Sequence, residues 1–147
     1  MKILLSSIIF FTVSLKAFAQ INTDAIIGKW IAEDKNLVVE IFKVGNEFKC
    51  SVVWFDDRDD KNNSMNERCD KKNPNKILRS RKIIGLNVVR GLMYNALAEE
   101  WQGGRIYDSS TGKEWNAKAW LKDGILKVRG FWHFEFLGET MKFKKSS

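Results

Sequence analysis

Beyond its first nineteen residues the chain contains no apolar run approaching the roughly 20 residues that a bilayer-spanning helix requires, so no transmembrane segment is expected there. Histidine occurs once, at His133, and cysteine twice, at Cys50 and Cys69. That supply gives no zinc-ligand spacing. No serine sits in an elbow motif or beside a recognisable base, so nucleophilic catalysis lacks its residues. Asp56, Asp57, Asp59 and Asp60 look like calcium ligands. The EF-hand register fails, however: Lys61 stands fifth from Asp57, and counting from Asp60 puts Met65 at the turn glycine and Lys71 at the bidentate glutamate. No metal or cofactor is therefore expected. Gly103-Gly104 has no following helix, so it is no phosphate loop and reads as a bend or close-packing device.

What is present at the start is a processing signal. Lys2 supplies the positive end, Ile3 to Leu15 is apolar apart from hydroxyl residues, and Ala17-Phe18-Ala19 offers small residues where signal peptidase reads. Residues 1–19 are expected to be removed before Gln20. With no cysteine after the cut, a lipid-modified N-terminus is not indicated. The mature protein is expected to be soluble and exported, periplasmic or secreted. The remaining 128 residues, 20–147, suit a single domain with a real core. Lys2 and Lys16 leave with the signal, so the formal charge falls from +7 to +5. The excess lies in mixed-sign company except at Lys142, Lys144 and Lys145, and reads as a solvated face. No nucleic-acid partner is expected, since export removes it and no recognition motif occurs. Nothing specifies an oligomeric state.

Short strands at regular spacing dominate the rest. Gly28 to Ala32, Leu37 to Val44 and Glu47 to Phe55 are joined by turn-like Glu33-Asp34-Lys35-Asn36 and by Gly45-Asn46. From Asp56 to Lys76 the chain turns polar, with six acidic, six basic and five asparagine residues, and reads as one long solvent-exposed loop holding the only proline, Pro74. A fourth strand is expected over Ile83 to Leu92, with a helical turn possible in Arg90 to Glu100. Further strands are expected at Arg105 to Asp108, Lys113 to Leu121, Ile125 to Phe131 and Thr140 to Lys145. One face of these is apolar (Trp115, Ala117, Ala119, Leu126, Val128) while Lys118, Lys122, Lys127 and Arg129 take the other. About eight such strands fit an all-β, antiparallel meander barrel, which closes to remove its edges; an open sandwich is the alternative.

The blocks Trp101-Gln102-Gly103-Gly104-Arg105-Ile106-Tyr107-Asp108, Ser109 to Trp115 and Leu126-Lys127-Val128-Arg129-Gly130-Phe131 resemble an exported bacterial family, domain-of-unknown-function family 2147. So do Lys72-Asn73-Pro74-Asn75, Arg79-Ser80-Arg81 and Ile84-Gly85-Leu86. Many relatives carry a Cys-x-x-Cys pair where this chain has Cys69-Asp70-Lys71-Lys72, and finish with tryptophan and arginine where it has Phe143 and Lys145. Gly28-Lys29-Trp30 is similar to the start of lipocalin-like (calycin) barrels, whose tryptophan plugs the closed end and stacks on an arginine from a late strand. That resemblance implies Arg129 as the partner of Trp30, in a stack of about 2 kcal/mol. Cys50 and Cys69 would close a loop of about twenty residues, a disulfide on the order of 3 kcal/mol. Equally, Cys50 shares a face with Phe48, Val52 and Trp54 and reads as a small core residue; both readings stand.

Asp108, before Ser109-Ser110-Thr111-Gly112, reads as the cap of its own turn. Arg79 and Arg81, a basic pair beside the long loop, are the candidate ligand site, for a small amphipathic or anionic ligand or an envelope component at the barrel mouth. Non-catalytic binding is the expected function. The alternatives are a structural or protein-interaction module of the envelope and, behind these, a hydrolase using carboxylates such as Asp108 and Glu114. Intact-mass measurement of the exported protein should find a chain beginning at Gln20; a membrane-retained species that keeps residues 1–19 would contradict this.

Overall fold

The structure is a computed structural model and describes residues 22–147; the expected signal at 1–19 lies outside them. Eight strands run up and down in chain order: β1 (Gly28–Ala32), β2 (Leu37–Val44), β3 (Glu47–Phe55), β4 (Asn87–Asn95), β5 (Glu100–Asp108), β6 (Lys113–Lys122), β7 (Ile125–Phe131) and β8 (Glu139–Lys145). Each pairs antiparallel with the next, and β8 pairs back to β1, so the sheet closes as a barrel without a free edge. Alternation decides the wall: Val39 and Ile41, Phe48, Cys50 and Val52, Ala117 and Ala119, and Leu126 and Val128 point inward and are buried. Among the described residues no helix is long and apolar enough to cross a membrane.

β6 and β8 each run one residue beyond the expected range, to Lys122 and from Glu139, and two strands differ by more. β4 spans Asn87–Asn95 rather than 83–92, and β5 begins at Glu100, so the segment that suggested a helical turn is a β-hairpin. Its turn is organised by Asn95, whose side-chain oxygen accepts from the amides of Leu97 and Ala98, and by Glu99 in the left-handed region at φ 54°. Irregular register at Val38/Val39 between β2 and β3, between β3 and β4, and between Trp101 and Gly104 across β5 and β6 interrupts the period-two pattern.

One end of the barrel is plugged. Residues 22–27 pack there, with Ile26 buried, while the Trp30 indole N–H donates to the Ile26 carbonyl at 2.7 Å and that of Trp101 to Thr23 at 3.1 Å. Phe48 and Tyr94 meet Trp101 edge-on, at 6.2 and 5.0 Å between ring centres. The cation over Trp30 is Lys145, 4.6 Å from the ring centre, and not Arg129. Register explains the correction: Lys145 lies opposite Trp30 on β1, whereas Arg129 lies opposite Thr140. Thr140 and Lys145 are five residues apart on β8, roughly 17 Å at strand spacing. The Lys145 ammonium also donates to the Ile27 carbonyl. A side chain at Gly28, whose φ is +118°, would crowd it at 3.1 Å. The glycine of the Gly-x-Trp motif thus makes room for the cation that covers the tryptophan.

Trp30→Ala should cost about 3–5 kcal/mol in denaturant unfolding, and Lys145→Met about 1 kcal/mol. Arg129→Met should leave the NMR signal of the Trp30 indole N–H in place while Lys145→Met shifts it; a shift from Arg129→Met and none from Lys145→Met would contradict the assignment.

Candidate binding surface at the barrel mouth

The end opposite the plug carries the β1–β2 turn, the long β3–β4 connection, the β5–β6 turn and the β7–β8 loop. The β3–β4 connection is less exposed than its composition implies. Asp70 is fully buried, with a relative exposure of 0%, and Asn73 is buried beside it. The Asp70 carboxylate accepts from the Tyr107 hydroxyl at 2.6 Å, the Asn73 amide at 2.8 Å and Arg81 Nε at 2.9 Å. Main-chain bonds run alongside, from the Asp70 amide to the Arg81 carbonyl and from the Asn73 amide to the Asp70 carbonyl. The Arg81 guanidinium lies 5.6 Å from the Tyr107 ring centre. Burial alone pushes the Asp70 carboxyl up, but the hydrogen bonds from Tyr107, Asn73 and Arg81, helped by the arginine charge, outweigh it and hold the carboxyl below the usual range. Burial, then the hydrogen bond to Asp70 and the Asp70 charge, raise Tyr107. The connection is thereby fastened to β5. It also touches the β5–β6 turn, where a Cβ at Gly112 would fall 2.0 Å from the Lys72 carbonyl oxygen.

These bonds change the meaning of the basic pair. Arg81 is neutralised by Asp70, and Arg79 Nε donates to the Asn73 carbonyl at 2.7 Å. Both arginines hold the connection in shape. The segment from Lys71 to Lys82 nevertheless contains six cations and no acid. Lys71, Lys72, Lys76, Arg79 and Lys82 make no ion pair among the described residues and are exposed. Between them a single 3₁₀ turn, Lys76–Ser80, started by the Asn75 side chain, leaves Ile77 84% exposed.

The β7–β8 loop adds the apolar half of the surface. Trp132, Phe134, Phe136 and Leu137 are 56%, 59%, 77% and 70% exposed. Phe134 stacks on Phe136 at 5.6 Å, and Trp132 meets Trp115 edge-on at 5.7 Å. The loop is held from behind. Arg129 donates through Nε to the Glu135 carbonyl and through Nη1 to the Thr140 hydroxyl, both at 2.6 Å. The Glu135 carboxylate pairs with Lys118 at 2.6 Å. The Glu135 hydrogen bond, with help from Glu100, raises Lys118 against its partial burial. Asn116 donates to the Trp132 carbonyl at 2.6 Å. The clamp of the aromatic loop is therefore what Arg129 provides. His133 lies within this loop, 5.3 Å from Trp132 between ring centres.

The interior offers far less. A cavity of about 40 Å³ lies among Leu37, Val39, Cys50, Leu126, Val128 and Phe143. A small-molecule site commonly encloses about 300–1,000 Å³. Of the tryptophans and phenylalanines, Trp30, Phe48, Trp101 and Phe143 are buried in this core. Cys50 is buried there, its thiol pushed up to about 12 by desolvation, while Cys69 lies in the connection and donates to the Glu67 carbonyl; the two are free and form no disulfide.

The remaining motif residues shape the backbone. Asp108 accepts from the Ser110 amide and hydroxyl and from the Thr111 hydroxyl. Burial works to raise its carboxyl, and those bonds bring it below the usual range. Gly103 has φ +73° at the register shift, Gly104 leaves space for Leu92, and Gly130 leaves space for Ile106. Glu114 lies between Arg90 and Arg105, at 2.6 and 3.2 Å. Sequence reasoning missed Asp70, Asn73 and Tyr107, and it missed the aromatic loop, although Phe131 to Leu137 packs five apolar residues into seven positions.

Asp70 generates a pH prediction. Its folded carboxyl lies below the unfolded value of about 3.9, so its stabilisation is complete above that value and lost as pH falls through the folded one. Asp70→Asn should cost about 2 kcal/mol at neutral pH and flatten the loss of stability below about pH 4. Urea unfolding across the acid range measures both; an unchanged acid slope would contradict the assignment.

Comparison with known proteins agrees with the architecture. A family profile described as an uncharacterized protein conserved in bacteria (DUF2147) matches residues 28–145. No curated protein matches the chain. Among solved structures, protein HP1028 from the human pathogen Helicobacter pylori, described as belonging to the lipocalin family, aligns with a TM-score of 0.70 at 21% identity, covering 83% of each chain. The likeness to HP1028 is one of fold, a lipocalin-like barrel. With nearly all of the described barrel inside the matched range, the chain belongs to the bacterial DUF2147 family.

Proposed function

We propose that this is an exported, non-catalytic binding protein that captures an amphipathic, anionic component of the envelope on its barrel mouth rather than inside the barrel. The observation that carries this reading is the pairing, at one end, of an exposed basic lobe with a clamped loop of exposed aromatics. An amphipathic anion needs both halves, a cationic contact for its head and an apolar contact for its tail. The signal-like residues 1–19 support export. Against a carboxylate-dependent hydrolase stands the engagement of its two candidates, Asp108 with its own turn and Glu114 with two arginines. A structural envelope module is the second reading, favoured by the filled interior.

Thermal unfolding with a monomeric anionic amphiphile, lysophosphatidylglycerol below its micelle threshold, separates the two. Binding at a hundred times Kd should stabilise by about 2.7 kcal/mol, several degrees in Tm for a domain of this size. Phe134→Ser combined with Phe136→Ser should abolish the shift without lowering the unliganded Tm. No shift in the wild-type protein would favour the structural module.

A further inference from the structure

We infer that the mouth docks on an anionic lipid bilayer, with Trp132, Phe134, Phe136 and Leu137 entering the head-group region and the Lys71–Lys82 lobe lying on acidic head groups. This rests on the mouth being the binding surface, and it names the occupant as a lipid surface rather than one molecule. Geometry favours a surface. The four apolar side chains sit on a connection between two strands and are all more than half exposed, whereas a site for a single small ligand buries it in a concave pocket. Tryptophan is at home at a lipid interface, where its apolar ring and polar N–H face different surroundings.

Charge complementarity selects the lipid. Five of the six cations between Lys71 and Lys82 lack a carboxylate partner, since Asp70 takes only Arg81. Each lysine or arginine near an anionic membrane contributes about 1 kcal/mol. The acid inside the aromatic loop, Glu135, is drawn back to Lys118 on the barrel wall, so it is compensated before any lipid is met. Interfacial binding strengthens with the apolar area buried and with electrostatic attraction to anionic lipids. Both signals are present at this end, and both elements touch the β5–β6 hairpin, through Lys72 against Gly112 and Trp132 against Trp115. The clamp from Arg129 and Lys118 holds the aromatics out before contact, which lowers the ordering cost of insertion.

Co-sedimentation with vesicles of phosphatidylglycerol and phosphatidylcholine, against vesicles of phosphatidylcholine alone, tests the inference on the mature chain. Binding should be about tenfold or more stronger to the anionic vesicles, as two uncompensated cations would supply, and should weaken as salt rises. Lys71→Glu with Lys76→Glu should remove the anionic preference, and Phe134→Ser with Phe136→Ser should remove binding, each with an unchanged Tm. Brominated acyl chains should quench tryptophan fluorescence in the wild type and much less in Trp132→Phe. Equal, weak binding to both vesicles, or anionic binding indifferent to both double variants, overturns the inference. If the monomeric amphiphile still raises Tm in that case, the mouth remains a ligand site and only the bilayer is wrong. If it does not, both readings fall together.

Discussion

The bore of the barrel is the constraint from which the rest follows. Eight strands enclose a space that side chains alone can fill, and here the inward positions carry Trp30, Phe48, Trp101 and Phe143 besides aliphatic residues. Large rings at the plugged end and branched residues further up leave about 40 Å³. That space is well below the roughly 300–1,000 Å³ common for a small-molecule site. Among the described residues the two longest connections between strands, β3–β4 and β7–β8, both lie at the mouth.

The mouth in turn depends on a buried carboxylate. A connection of 31 residues between β3 and β4 has almost no regular structure, and its lysines and asparagines have little apolar surface to bury. Asp70 substitutes for a core. By accepting from Tyr107, Asn73 and Arg81 it fixes the connection to β5, and the contact at Gly112 fixes it to the neighbouring turn. A buried carboxylate is costly unless its lone pairs are satisfied. Here three side chains satisfy it.

Much of the barrel was legible in the sequence because alternation and turn chemistry agree. β1, β2, β3 and β7 run between the residues at which Gly28, Gly45-Asn46 and Asp123-Gly124 punctuate the apolar pattern. The β4–β5 hairpin was not legible, since the irregular register around Gly103-Gly104 shifts the phase of the pattern and Ala96-Leu97-Ala98 suits a helix as well as a turn. The bonding of the long connection was not legible. Arg79 and Arg81 read alike in the sequence, yet only Arg81 pairs with Asp70, 11 residues away, itself bound to Tyr107, 37 residues beyond it, and nothing local to the pair announces that partner. Exposed aromatics were hidden for the opposite reason: phenylalanine and tryptophan default to the core in any reading by composition.

The two cations that exchange roles show how register decides function. Arg129 and Lys145 both lie on late strands, and either suits a tryptophan face by charge alone. Lys145 is opposite Trp30 and closes the plugged end, which frees Arg129 to hold Glu135 and Thr140 at the other. The planar fork of arginine donates in two directions at once, to a carbonyl and to a hydroxyl, as a loop clamp requires; lysine, a point charge on a flexible stem, suffices over a ring. Asp70 makes a similar division within the long connection. It consumes the charge of one arginine to build the fold and leaves five cations on the adjoining segment facing outward. The folding of the mouth and its electrostatic character thus have the same source.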